Sequence, residues 1–156
     1  MLYDTIEFRR PYKDINEVLY YIVEQAKNGI NYCKNSAPKF SDPQKLFNYY
    51  NNRVVYKNDP PGVELIQSPG TMFENNYHGT PGAGDCDCFS TLLLASLWAN
   101  GFKENYIVLY GRSKRHPSHI SIMTIFEGTD FYLDLTEKKF NSERHYPFKQ
   151  LLPVFN

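Results

Sequence analysis

The chain has 156 residues, 42% of them hydrophobic and 16% aromatic, enough apolar surface for one packed domain and too much for a disordered chain. Its 17 basic and 17 acidic residues cancel, so no overall field favours nucleic acid or an anionic membrane surface. Three cysteines cannot complete a disulfide framework, and reduced thiols in the cytoplasm are expected. The opening MLYDTIEFRRPYKD carries charges throughout, so no secretory signal is expected, and no stretch reaches the roughly 20 apolar residues of a membrane span.

Residues 1–12 read as an extended arm ending at Pro11. Asp14 is placed to cap a helix from Ile15, whose apolar stripe runs Val18, Leu19, Ile22, Val23 and Ala26. Gly29 is expected to end it. A second helix is expected from Ser41 or Asp42 to about Tyr50, with Pro43 in its first turn. Residues 57–84 are rich in Gly, Pro and Asn and read as a long loop with one short helix near 69–75. CFSTLLLASLWANG, residues 88–101, is apolar nearly all round, so a central buried helix is expected, with Gly101 at its C-terminal cap. Strands are expected at 106–110, 119–126 and 131–135. The apolar tail, with Phe148, Leu151, Leu152, Val154 and Phe155, is expected to pack on the body. A central helix followed by a small antiparallel sheet implies the α+β class. The whole of 1–156 reads as a single domain, with a core at about 64–140 and an N-terminal helical part at about 13–55.

The chemistry concentrates in GAGDCDCFS, residues 82–90. A Gly-rich loop delivers Cys86 to the first turn of the buried helix, with Asp85 as its N-cap. Free amides and the positive helix end there favour a thiolate, the nucleophilic form, and could hold an oxyanion. Asp87 opposes the thiolate. His119 opens one strand run and Asp134 closes the next. If Glu127-Gly128 is a two-residue turn, Phe126 faces Thr129 and Ser121 faces Asp134. His119 and Asp134 then share one face at a diagonal of roughly 7–8 Å, within side-chain reach. Asp134 would fix the imidazole tautomer, and the other ring nitrogen would face the thiol. Nucleophile, base and orienter make a triad of Cys86, His119 and Asp134.

These residues resemble the transglutaminase-like superfamily of papain-like thiol enzymes over about 64–136. The resemblance is carried by QSPGTMF, by GDCD running into an Ala/Leu-rich helix that ends in Asn-Gly, by the following His, and by Leu-Asp-x-Thr. Spacings of 33 residues from Cys86 to His119 and 15 from His119 to Asp134 fit the family. The resemblance is nearest to short, stand-alone members from bacteria and their phages. It implies a papain/transglutaminase-like core, with Cys86 as nucleophile, His119 as base and Asp134 as third member. It further implies an acyl-thioester route on amide bonds, with peptide or isopeptide hydrolysis favoured over transamidation. A protein or peptide substrate is expected, with no cofactor, no nucleic acid and no membrane. A cytoplasmic location is expected, or a virion through the phage members. The chain departs from the family at Cys88, where Asp is frequent, and at Ile120 and Ser121, where an aromatic is frequent. No side-chain oxyanion donor is identifiable, and Gln67 carries little weight.

Two other readings compete. Cys86-x-Cys88 with His116-x-x-His119 makes a Cys2His2 set that would suit zinc. The same fold could instead be a non-catalytic structural or binding module, for instance in a phage particle. Cys33 and Cys88 read as core residues. His78, His116 and His145 read as loop or surface residues. Arg112, Lys114 and Arg115 read as a solvated loop.

Overall fold

The computed structural model describes residues 5–9 and 14–156. The remainder of the arm expected over 1–12 lies outside the described residues. Its described part is a strand, β1 (Thr5–Arg9), antiparallel to β3 (Val63–Gln67), with Ile6 opposite Ile66. Between them come α1 (Ile15–Ser36), α2 (Pro43–Asn51) and the two-residue β2 (Val55–Tyr56). Asp14 caps α1 by accepting from the Asn16 N–H at 2.9 Å, and Asp42 caps α2 by accepting from the Lys45 N–H at 2.8 Å. Pro43 occupies the first turn of α2, where its missing N–H costs nothing.

Gly29 does not end α1, which continues to Ser36. The glycine is there for packing. A Cβ at Gly29 would lie 2.4 Å from two ring carbons of Pro69. Pro69 opens α3 (Pro69–Glu74), so two helices cross where one has no side chain. The segment 57–84 is also less irregular than expected. It holds β3, buried at every residue, and β4 (Ala83–Gly84), parallel to β2. Partners distant in sequence supply those ladders, so local composition hides them.

The centre is α4 (Cys86–Ala99), with 12 of its 14 residues buried. It packs against α1 on one side and the main sheet on the other. Its C-terminus closes as the Asn-Gly pattern predicts. Gly101 takes φ +81°, and the N–H groups of Phe102 and Gly101 donate to Leu97 O and Trp98 O at 3.0 and 3.1 Å. The sheet comprises β5 (Asn105–Gly111), β6 (Pro117–Phe126), β7 (Thr129–Leu133) and β8 (Phe148–Val154), in the order β7-β6-β5-β8, antiparallel throughout. Glu127 and Gly128 both take positive φ, 51° and 77°, as a type I′ hairpin turn requires. Phe126 therefore pairs with Thr129 and Ile122 with Leu133. This register aims the residues after β7 at the start of β6.

Candidate functional site

Asp85 sets the geometry at the start of α4. One carboxylate oxygen accepts from the N–H groups of Asp87 at 3.1 Å and Cys88 at 3.4 Å. That makes Cys86 the first helical residue. The loop can arrive there only as glycine: a Cβ at Gly84 would lie 2.6 Å from the Cys88 Cβ. The cap also occupies two of the amides that the sequence offered for an oxyanion.

Cys86 is half-buried. Its sulfur lies 3.8 Å from an Asp87 carboxylate oxygen, and the Ile120 backbone N–H reaches it from β6. Burial pushes the thiol well above its ordinary pKa, and the charges of Asp87 and Asp85 push it further. The Ile120 N–H pulls the other way and does not win. The thiolate preference expected at a helix N-terminus is thus outweighed in the resting protein, which holds Cys86 as a thiol.

His119 and Asp134 are both buried and meet at 2.5 Å, Nε2 to Oδ2. The second Asp134 oxygen accepts from the Thr136 hydroxyl at 2.6 Å and from the Thr136 N–H at 3.0 Å. Arg144 Nη2 in turn donates to the Thr136 hydroxyl at 3.0 Å, while Arg144 Nε pairs with Glu137. Burial alone would raise the Asp134 carboxyl. The hydrogen bond and charge of His119, with the two Thr136 donors, outweigh it and hold the carboxyl below the usual range. Tyr110 and Tyr146 stack on the imidazole at centroid distances of 5.7 and 6.0 Å. With Nε2 committed to Asp134, the remaining ring nitrogen is Nδ1.

Cys86 and His119 line one open cavity of about 490 Å³. Asp59, Glu64 and Asp85 line it too, with one oxygen from each all within 4.8 Å of one another. Burial, then the charge of Asp59, a hydrogen bond with Asp59 and the charge of Glu64 hold Asp85 well above the usual carboxylate range. Three hard oxygen donors in this arrangement are of the type that holds Ca²⁺ or Mg²⁺.

The Cys2His2 set does not assemble. His119 Nε2 is bound to Asp134, and His116 is exposed with Nδ1 3.0 Å from the Ser113 hydroxyl. Cys88 is buried, its sulfur 3.6 Å from both Gln67 Nε2 and Leu65 O. Among the described residues, the acidic trio is the only group of three or more His, Cys, Asp or Glu with ligand atoms so close together. Cys88 and His116 do not line the cavity: one serves the core and the other a surface turn. Gln67 is likewise committed, donating to Ala83 O at 3.0 Å and accepting from the Tyr77 N–H at 3.1 Å.

LapG from Legionella pneumophila, a transglutaminase-like cysteine protease, superposes with a TM-score of 0.51 and 19% identity, over 94% of this chain and 84% of that one. A candidate cysteine protease from Cytophaga hutchinsonii superposes with a TM-score of 0.50 and 15% identity. The match covers 98% of this chain and 53% of that one. The chain has a transglutaminase-like fold. No protein-family model and no curated protein matches the sequence. The fold is α+β, as the order of elements implied.

Several residues around the cleft of this transglutaminase-like fold carry no local sequence signal. Tyr56 reaches it because β2 pairs with β4, setting Tyr56 opposite Gly84. Tyr146 and Arg144 come from an irregular segment before β8. Asp59 could have been suspected only as an acid within a Gly/Pro-rich loop. Thr136 had a visible signal, since it belongs to the Leu-Asp-x-Thr element.

Proposed function

We propose that the protein is a cysteine peptidase or amidase of transglutaminase-like type, with Cys86 as nucleophile, His119 as general base and Asp134 as the residue that orients His119. The observation that carries this is the shared cavity: a histidine whose Nε2 is fixed by a buried carboxylate lines the same open space as a cysteine at a helix N-terminus. In the proposed reaction, His119 Nδ1 takes the Cys86 proton as the sulfur attacks an amide carbonyl. The S–C bond forms, the imidazolium protonates the leaving nitrogen, and the C–N bond breaks, leaving an acyl-thioester. Water then attacks with His119 as base, and the acid and the free thiol are released. Asp134 stabilises the imidazolium at each proton transfer. The raised thiol pKa fits a nucleophile deprotonated only as the imidazolium forms beside it. Hydrolysis is favoured over transamidation because the cavity is open to water.

Alkylation with a limiting reagent near neutral pH, read by mass spectrometry, tests the assignment. Cys33 and Cys88 are buried, and burial raises both thiols, Cys33 to about 12. Cys86 should label ahead of both, and His119→Ala should slow it by about 10²-fold, the scale of a lost general base. Uniform slow labelling of all three, indifferent to His119→Ala, would remove the nucleophile and leave a non-catalytic module of the same fold. A screen with peptide amides, with and without an amine acceptor, separates hydrolase from transferase.

A further inference from the structure

We propose that a pocket formed by Lys138 and Arg144 binds a carboxylate on the amine side of the bond that is broken, so that the preferred leaving group is acidic. The inference rests on the acyl-transfer reading above. A second opening, of about 300 Å³, is bounded by Tyr56, His119, Thr136, Lys138 and Arg144. His119 and Tyr56 belong to both openings, whereas Cys86 lines only the first. The acyl carbon must lie over the Cys86 sulfur, and the leaving nitrogen must lie where His119 can protonate it. A pocket that touches His119 but not Cys86 is therefore where the chain beyond that nitrogen goes.

The two openings differ in charge. Asp59, Glu64, Asp85 and Asp87 line the cavity around Cys86, whereas among the described residues Lys138 and Arg144 are the Lys, Arg, Asp or Glu side chains that line the second opening. Arg144 is paired with Glu137, which keeps it charged and in place. Lys138 is exposed, and its ammonium makes no ion pair among the described residues. Its backbone stands at φ +59°, a conformation that asparagine or glycine adopts more readily than lysine. The Lys138 carbonyl accepts from Asn51 Nδ2 at 3.2 Å, which ties this turn to the end of α2. A lysine is thus held in an unfavourable conformation at the mouth of a pocket beside His119, and strain of this kind concentrates at functional positions. A carboxylate would be drawn to this end and repelled from the other, so charge would set the direction in which a substrate lies. The carboxylate could belong to an Asp or Glu side chain or to a free C-terminus.

The test needs no knowledge of the natural acyl group. Cys86 is loaded from a simple activated acetyl ester, and glutamate amide, glutamine amide, lysine amide and free glutamine compete as acceptors. In this transfer the amine nitrogen forms the C–N bond as the C–S bond breaks. The proton lost from nitrogen passes through His119 to the sulfur. Transfer to glutamate amide should exceed transfer to glutamine amide by about fivefold, the scale of a partly exposed charge contact. Lysine amide should be poorest, and the preference should shrink at high salt. A gain for free glutamine without one for glutamate amide assigns the pocket to a chain end, and the reverse assigns it to a side chain. Lys138→Asn suits the local φ and should bring the glutamate-to-glutamine ratio towards one, and Lys138→Glu should favour lysine amide. Equal transfer to all acceptors, or a preference for the carboxylate-bearing acceptor that is unchanged in Lys138→Asn, overturns the inference while leaving the nucleophile in place. Absence of any acyl-enzyme on Cys86 overturns the parent reading and this one with it.

Discussion

The proton on the Cys86 sulfur is held by burial and by the carboxylates on either side in sequence, Asp87 and Asp85. The helix N-terminus and the Ile120 N–H act against them. A surface pair is worth little, but charges this close in a shielded cleft interact strongly. Asp85 cannot be varied cleanly, because it also caps α4. Asp87→Asn keeps the shape and removes the charge. A negative charge raises a thiol pKa, so its removal lowers the pKa and enlarges the thiolate fraction at pH 7. Alkylation of Cys86 in Asp87→Asn should run about 3–10-fold faster at pH 7, with the midpoint of its rate–pH curve moved to lower pH. A midpoint that stays put would show that burial and Asp85 hold the proton without Asp87.

At the scale of elements, α4 and the β6–β7 hairpin were legible and the pairings around them were not. Asp85 at the cap, the apolar run and Asn-Gly at the end all act within a few residues of one another, so the sequence displays them. The Glu-Gly turn set the hairpin register for the same reason. The β1–β3 and β2–β4 ladders join segments far apart in sequence, and nothing near Tyr56 or Asp59 announces their partners. Gly29 shows how a local rule misleads. Glycine in a helix interior costs about 1 kcal/mol relative to alanine, so it reads as an end. Here it permits the contact with Pro69, a ring that cannot swing aside. Gly29→Ala would gain the propensity and lose more to overpacking, at about 1–3 kcal/mol. The expected outcome is a Tm lowered by several degrees, whereas the same change at an open helical glycine would raise it. An unchanged or higher Tm would mean that α1 and α3 separate easily.

Across the whole molecule, 17 positive and 17 negative side chains cancel in number and not in place. The carboxylates of Asp59, Glu64 and Asp85 are crowded within 4.8 Å in the opening shared by Cys86 and His119, and Lys138 and Arg144 line the second opening beside His119. Such crowding opposes folding and is tolerated where a site requires it. Its sign with pH follows from Asp85. The folded carboxyl sits well above the ordinary value of 3.8, so the folded protein binds the more protons. This group's contribution to stability therefore falls as pH rises from that ordinary value through the folded one. Asp134 runs the opposite way. Its carboxyl is held below 3.8, so its contribution is present above that value and is lost as pH falls through the folded one. Asp59→Asn separates the two. The change retains an oxygen to accept from the Leu65 N–H, which Asp59 Oδ2 now does at 3.0 Å, and it removes one carboxylate from the trio. Each 1 kcal/mol of repulsion relieved raises Tm by roughly 2–4 °C in a chain of this size. A rise of that order at pH 7 is expected in metal-free buffer. It should shrink as pH falls towards the ordinary carboxylate value, because protonation of Asp85 already removes charge from the wild-type cluster. Thermal unfolding of both proteins from pH 4.5 to pH 7.5 measures it. A variant that melts lower at pH 7 would show that the hydrogen bonds of the trio outweigh its charge.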